Sequence, residues 1–425
     1  MSNIKESLSE FSGEIKNQLR LELDHGTMLI RWGIMAAVIG FVAGGIASLF
    51  AKCLIFVNEF RAQNPGVIYL LPVLGLVIVF LYNRLGLAKD PGTNRIISTI
   101  NKGKPVPGRL APLIFVSTVL TQLGGGSAGR EGAALQIGGT IGYHFGHAME
   151  MDWESRRILV LCGMSAAFSA VFGTPIAAVV FPMELAMTGG ILYIALMPCM
   201  VASLVASLFA TNMGIAPERF EVIAFPPLTP ENLLKVIAFA VGGAILSVIM
   251  CEIFHLGKKV SAKWIQNPYL RVVAGGAILV AVTKIFSTTD YLGAGINLIE
   301  KSMLGEIPGY AFLVKILLTA LTLGVGFKGG EIVPTLAVGA AFGGAVAEVL
   351  GVNPALGAAL GMTSLFCGAT DCPLATLLLS FELFGYQGAI YYLITCCISY
   401  LMSGSQSLYK NQNKIYSKYN SKWKW

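Results

Sequence analysis

Gly163-Met-Ser-Ala-Ala-Phe-Ser-Ala-Val-Phe-Gly-Thr-Pro-Ile-Ala-Ala-Val-Val-Phe-Pro-Met-Glu-Leu185 decides the fold, because it recurs as Gly361-Met-Thr-Ser-Leu-Phe-Cys-Gly-Ala-Thr-Asp-Cys-Pro-Leu-Ala-Thr-Leu-Leu-Leu-Ser-Phe-Glu-Leu383. Gly163, Met164, Phe168, Pro175, Ala177, Glu184 and Leu185 match Gly361, Met362, Phe366, Pro373, Ala375, Glu382 and Leu383 without a gap. Upstream, Gly129-Arg130-Glu131 matches Gly329-Gly330-Glu331, and Gly92-Thr93-Asn94-Arg95-Ile96 resembles Gly295-Ile296-Asn297-Leu298-Ile299. Three motifs in the same order, at nearly the same offset, imply a duplicated chain. Duplicated halves with glycine-broken segments at corresponding positions are expected of transporters whose site lies near the bilayer midplane, between the repeats.

Composition agrees. Hydrophobic residues make up 55% of the chain and charged ones 12%, about half the charged share of a soluble domain. Apolar stretches at 34–57, 67–81, 157–186, 189–211, 233–254, 310–327 and 388–402 suit membrane crossing. Those at 111–122, 131–149, 354–367 and 373–384 are short or interrupted and read as half-spanning or broken helices. The 49 glycines fit closely packed membrane helices. The expected architecture is an all-α polytopic membrane protein of two inverted repeats, the first over 28–213 and the second over 233–404, joined by a linker at 214–232. An odd number of helices per half would invert the second; the residues leave that number open.

Residues 1–27 mix acids and bases, lack the form of a cleaved signal, and read as a cytoplasmic amphipathic helix on the membrane surface. In the tail, 405–425, Lys410, Lys414, Lys418, Lys422 and Lys424 stand without an acid, which places the C-terminus in the cytoplasm. Most of the net charge of +7 is this tail, and with no wider basic patch nucleic acid is a poor partner. The eight cysteines lie almost entirely in apolar runs without a CxxC pair, and the four histidines form no metal constellation, so neither a metal nor a cofactor is expected.

The chemistry lies at the glycine-rich breaks. Gly124-Gly125-Gly126-Ser127-Ala128-Gly129 precedes Glu131, and Gly324-Val325-Gly326-Phe327-Lys328-Gly329-Gly330 precedes Glu331. Unpaired N–H groups and the positive end of a helix dipole suit an anion there without a formal positive charge, which would hold it too tightly. Ionised, a carboxylate at such a start mimics the transported anion; protonated, it can leave and carry a proton. Glu131 is therefore a candidate gate and proton carrier, against the plainer reading that it complements the dipole. Arg130 and Lys328 either attract anions or anchor helix ends, anchoring being the simpler. Glu184 and Glu382 end matched helices and suit structural pairing. Gly125–Gly129 formally matches a G-x-S-x-G elbow, but glycine runs produce that match easily, and no H-E-x-x-H or G-K-[ST] occurs. An enzyme is not expected.

From Met28 to Tyr409 the chain resembles the CLC family of chloride channels and proton-coupled anion antiporters. Gly129-Arg130-Glu131-Gly132-Ala133-Ala134-Leu135-Gln136 is similar to its G-K/R-E-G-P-x-x-Q signature, with Ala133 at the usual proline. Gly330-Glu331-Ile332-Val333-Pro334 resembles G-x-F-x-P, and Gly92-Thr93-Asn94-Arg95-Ile96 stands in the place of G-S-G-I-P, with Thr93 at the anion-coordinating serine. Ser407-Leu408-Tyr409 resembles the segment carrying the central tyrosine. The resemblance implies a homodimer in the cell membrane, both termini cytoplasmic, with one pathway per subunit and Glu131 as external gate. It also implies an anion site drawn from Thr93, Asn94, Arg130, Glu131, Ile332, Val333 and Tyr409. Because the chain stops soon after Tyr409, no cytoplasmic regulatory domain is expected. Leu185 stands where chloride/proton antiporters carry an inner glutamate, and Gly326-Phe327-Lys328-Gly329-Gly330-Glu331 resembles the fluoride-exporting subclass, in which a glutamate placed like Glu331 serves proton coupling. Thr93 and Val333 depart from that subclass, the Thr93 hydroxyl being closer to the chloride-type serine. The reading is a halide antiporter exchanging fluoride for protons. Its alternatives are a chloride/proton antiporter and a passive chloride channel of the same fold.

Overall fold

The computed structural model describes residues 2–222, 224–286, 288–415 and 418, with side chains from Gly26 onward. The character of the N-terminal surface helix, and Lys422 and Lys424, lie outside the described residues. The chain runs through α1 (Ser2–Gln63), α2 (Leu71–Arg84), α3 (Thr93–Lys102), α4 (Leu110–Leu123), α5 (Glu131–Ala148), α6 (Trp153–Phe172), α7 (Pro175–Ala186) and α8 (Leu196–Asn212). It then runs through α9 (Pro230–Trp264), α10 (Pro268–Phe286), α11 (Ile296–Leu304), α12 (Ala311–Val325), α13 (Ile332–Leu350), α14 (Pro354–Thr370), α15 (Pro373–Phe384) and α16 (Ala389–Met402). Among the described residues, seven helices are long and apolar enough to cross a membrane. The helices at 110–123, 175–186, 311–325, 354–370 and 373–384 are too short to do so alone.

Several sequence expectations change. The apolar run 157–186 is two helices, since Gly173 ends α6 in the left-handed conformation (φ 75°) and Pro175 begins α7. The run 310–327 yields only the 15-residue α12, because Gly326 at φ 120° stops it, and the run 388–402 yields the 14-residue α16; neither is among the helices long enough to cross alone. α10 and α13 are long and apolar enough to cross where no crossing run was singled out, the α10 stretch being interrupted by Arg271, Gly275 and Gly276. α1 is also one continuous helix across the expected boundary at 27/28.

Each of α1–α8 has a counterpart among α9–α16. Within a half, α5 packs on α6 as α13 packs on α14, and α1 on α8 as α9 on α16. Between halves, α2 meets α10, α5 meets α13 and α7 meets α15, so these three helices each touch their own counterpart, as helices beside a two-fold axis between the repeats do. Glycines permit the tightest pairings. A Cβ on Gly138 would fall 2.0 Å from the Gly163 carbonyl oxygen, and one on Gly339 would fall 2.6 Å from that of Gly361.

Polar contacts across the axis repeat the symmetry. The Gly129 N–H donates to the Gly330 carbonyl at 2.7 Å, and the Gly330 N–H returns the bond to Gly129 at 2.7 Å. The Ser127 N–H donates to the Thr322 hydroxyl at 3.1 Å while the Lys328 N–H donates to that of Thr121 at 3.3 Å. The Glu184 carboxylate accepts the N–H groups of Leu374 and Ala375 at the start of α15; Glu382 accepts those of Ile176 and Ala177 at the start of α7. Both glutamates therefore cap the partner half's helix, satisfying donors that would otherwise be orphaned in a medium without water.

A Cβ on Gly330 would sit 2.7 Å from the Gly132 nitrogen, whereas one on Gly309 would meet nothing within 4 Å. Gly330→Ala is expected to cost about 2 kcal/mol of stability as an overpacked contact, and Gly309→Ala almost nothing. Thermal unfolding of the purified variants checks this, and equal melting temperatures would show that the junction does not depend on close approach.

Candidate functional site

Three helix starts converge at the glycine bridge. α5 begins with Glu131 two residues after Gly129, and α13 begins with Glu331 as its N-cap directly after Gly330. α3 joins them through Thr93, whose hydroxyl donates to the Gly132 carbonyl at 3.4 Å and accepts from Gln136 Nε2 at 3.4 Å. Gln136 Nε2 also donates to that same carbonyl, at 3.1 Å, holding the starts of α3 and α5 together. Gly92, at φ 68°, turns the chain into α3, and its N–H donates to Asp90 Oδ1 at 2.8 Å. The first N–H groups of all three helices lack intrahelical partners, so positive helix ends meet around one point.

Beside this point is a cavity of about 650 Å³. Its wall includes Thr93, Asn94, Gln136, Glu331 and Tyr409, with basic residues Lys258, Lys259, Arg271, Lys328 and Lys410. Tyr409 is 2% exposed, and its hydroxyl has no hydrogen-bond partner among the described residues. A buried O–H donor is normally satisfied; here it stands ready for an acceptor such as an anion. The backbone around Tyr409 is fixed from both halves. The Leu408 N–H donates to the Ala369 carbonyl at 2.9 Å, and the Asn411 N–H donates to Asn94 Oδ1 at 3.1 Å. Asn94 is thus on the cavity wall, but its amide oxygen is engaged in holding the tyrosine segment.

The two glutamates part company. Glu331 lies on the cavity wall, and its Oε1 accepts from Lys258 Nζ at 2.9 Å. Glu131 is fully buried and off that wall; its carboxylate accepts from the Arg130 N–H at 3.1 Å and from Arg130 Nε at 3.2 Å. The breaks face each other, as their sequences suggest, but their carboxylates open into different surroundings. Arg130 is engaged by Glu131 and, through Nη2, by Glu218, and lies off the cavity wall. Ile332 and Val333 are buried in the first turn of α13, also behind the wall. Lys328 reaches the cavity, its ammonium 4.3 Å from the centre of the Tyr82 ring.

Sequence reading missed Lys258 and Glu218. Lys258 lies in the polar last third of a long helix otherwise noted for its apolar start, and Glu218 lies in a segment read only as a linker. Charge next to a candidate gate in space has no signature in chain order.

The family model described as "Voltage gated chloride channel" matches residues 74–404. The chain belongs to this family. It is 34% identical over 406 residues to a chloride/fluoride channel protein of Pseudomonas syringae pv. tomato, covering 94% of this chain and 90% of that one. A crystal structure of a CLC-type fluoride/proton antiporter aligns with TM-score 0.87 and 32% identity, over 91% of this chain and 98% of the other. A slow cyanobacterial Cl⁻/H⁺ antiporter shares the fold at TM-score 0.78 and 19% identity, over 88% and 94% of the two chains. The CLC fold of inverted repeats with broken helices is therefore that of this chain, an anion-transport protein.

Tyr409→Phe removes the one unengaged hydroxyl donor described above while keeping the ring. A hydrogen bond to a charged group contributes roughly 1.5–3 kcal/mol, so halide binding to the purified protein should weaken by about 10- to 100-fold. Unchanged affinity in calorimetry would take Tyr409 out of the site.

Proposed function

We propose that this CLC protein is a fluoride/proton antiporter in which Glu131 gates and carries protons and Glu331 relays them to the cavity. The observation that carries this reading is the pair of carboxylates flanking one backbone bridge, one sealed beside Arg130 and the other open to the cavity beside Lys258. A proton passing from one to the other crosses the junction of the repeats, so the inner glutamate replaced by Leu185 is not needed. The likeness to the fluoride/proton antiporter, over nearly the whole of both chains, supports fluoride as the anion.

In this reading the anion sits among the starts of α3, α5 and α13, held by the Tyr409 hydroxyl, by the Thr93 hydroxyl once it turns from the Gly132 carbonyl, and by N–H groups of Ile332 and Val333. When Glu131 is ionised it competes for the same positive helix ends; protonated, it withdraws and the anion takes its place. Asn94 holds the tyrosine segment, and Arg130 anchors the gate rather than binding the anion. The basic residues around the cavity attract anions from the cytoplasm without binding them at the bridge. No nucleophile or metal chemistry is called on, so the protein is read as a transporter and not an enzyme.

The reading extends to a multi-pass protein of the cell membrane with both termini cytoplasmic, supported by the basic tail. It also includes a homodimer. Leu204, Leu208, Ile390 and Leu393 on α8 and α16 are exposed apolar residues that offer surface to lipid or to a second copy. The alternative, a chloride/proton antiporter, rests on the hydroxyl at Thr93.

Purified protein in liposomes decides among these. A fluoride gradient should drive protons against a proton gradient, with fluoride efflux faster than chloride efflux. Flux of either anion without proton movement would make the protein a channel. Glu131→Gln fills the gate position with a group that cannot titrate and should abolish proton movement. Glu331→Gln should reduce it to the background of protein-free liposomes; coupling retained in that variant would leave Glu331 a structural residue at the start of α13, paired with Lys258.

A further inference from the structure

Arg130 is shared. Its Nε donates to Glu131 at 3.2 Å, and its Nη2 donates to Glu218, on the segment between the repeats. The side chains of Arg130, Glu131 and Glu218 are 14%, 0% and 21% exposed. Glu218 is not at the tip of a loose loop. Its own N–H donates to the Phe172 carbonyl at 3.3 Å, and the Phe220 N–H donates to the Leu383 carbonyl at 2.8 Å, so the backbone on either side of Arg219 is tied to one repeat and then the other. Pro217 packs against Gly173, where a Cβ would come within 2.4 Å of the proline Cα.

Fastening the linker therefore does not need the Glu218 carboxylate. Its charge has a different consequence. A gate that leaves its place, or takes up a proton, removes one negative charge from Arg130 in every cycle. With Glu131 as its only partner, Arg130 would then be a largely buried cation without a counter-charge, a state that costs several kcal/mol. A second carboxylate on fixed backbone keeps the arginine paired throughout.

We propose that Glu218 is a positioning residue for the gate: it holds Arg130 while Glu131 gives way to the anion, and so lowers the cost of gate displacement. The proposal rests on the reading of Glu131 as the gate. It differs from a fastening role in requiring that Glu218 act only through Glu131.

The test is fluoride binding to the purified full chain by calorimetry, which reads displacement of the gate even in variants that do not transport. Glu218→Gln should weaken fluoride binding about tenfold or more, from the cost of an unpaired buried cation. In a Glu131→Ala background, where no gate has to move, the same substitution should change affinity by less than about twofold, the additivity limit of uncoupled sites. Glu218→Asp, which keeps the charge, should recover most of the loss. Equal loss in both backgrounds, no loss in either, or Asp behaving as Gln would each overturn the proposal. Should Glu218→Gln not fold, Arg130→Gln is compared with Arg130→Gln/Glu218→Gln, in which no cation is stranded; a further loss in the double variant overturns it. Failure of the gate reading looks different: Glu131→Ala by itself would leave fluoride affinity unchanged, because no carboxylate had been competing with the ion.

Discussion

Two N–H···O=C bonds of 2.7 Å, exchanged between Gly129 and Gly330, are the contact on which the remaining geometry depends. Only glycine lets two backbones meet there, since the space a Cβ would need is filled by the partner chain. The bridge leaves the residues just beyond it, Glu131 and Glu331 with Ile332, at helix starts with free N–H groups. In a membrane such groups must be satisfied. Here the Glu131 carboxylate accepts the Arg130 N–H, and in the proposed exchange an anion takes its place, so that the demand of the fold and the binding of the ion become the same requirement.

The symmetry around the bridge is exact in kind and broken in charge. Thr121 and Thr322 each accept a backbone N–H from the other half, and Glu184 and Glu382 each cap a helix of the other half. The two glutamate-bearing breaks do not: one glutamate meets an arginine shared with Glu218, the other a half-exposed lysine on α9 beside an open cavity. Structural positions are kept equivalent because both halves must cap the same helix ends. Positions on the path are free to diverge, because the two sides of the membrane ask for different proton affinities and different access.

This explains what could be read from the sequence. Residues doing the same work twice recur, so the duplication, the glycine breaks and the start of α5 at Glu131 were all visible in the letters. The pairing role expected of Glu184 and Glu382 took the specific form of reciprocal capping. Hydropathy alone could not show the break at Gly173–Thr174, since the residues on both sides are apolar, nor α10, whose polar and glycine positions dilute its apolar run. Lys258 and Glu218 were illegible because each occurs once. A residue that serves only one half has no second copy to point it out.

That asymmetry bears on how one site can couple two ions. If both carboxylates lay in equivalent surroundings, either would serve as gate, and an anion could slip past without meeting a proton. If Glu131 is the gate, as proposed, its burial between Arg130 and the bridge makes its departure conditional on neutralisation or on the arrival of another anion, since the helix ends it covers cannot be left bare. In the same proposal, the place of Glu331 on the cavity wall gives protons a route to the junction that does not require the gate to open to water. On that proposal, sealing one glutamate and opening the other to the cavity favours exchange over leak, with the same two residues that the duplication first brought together.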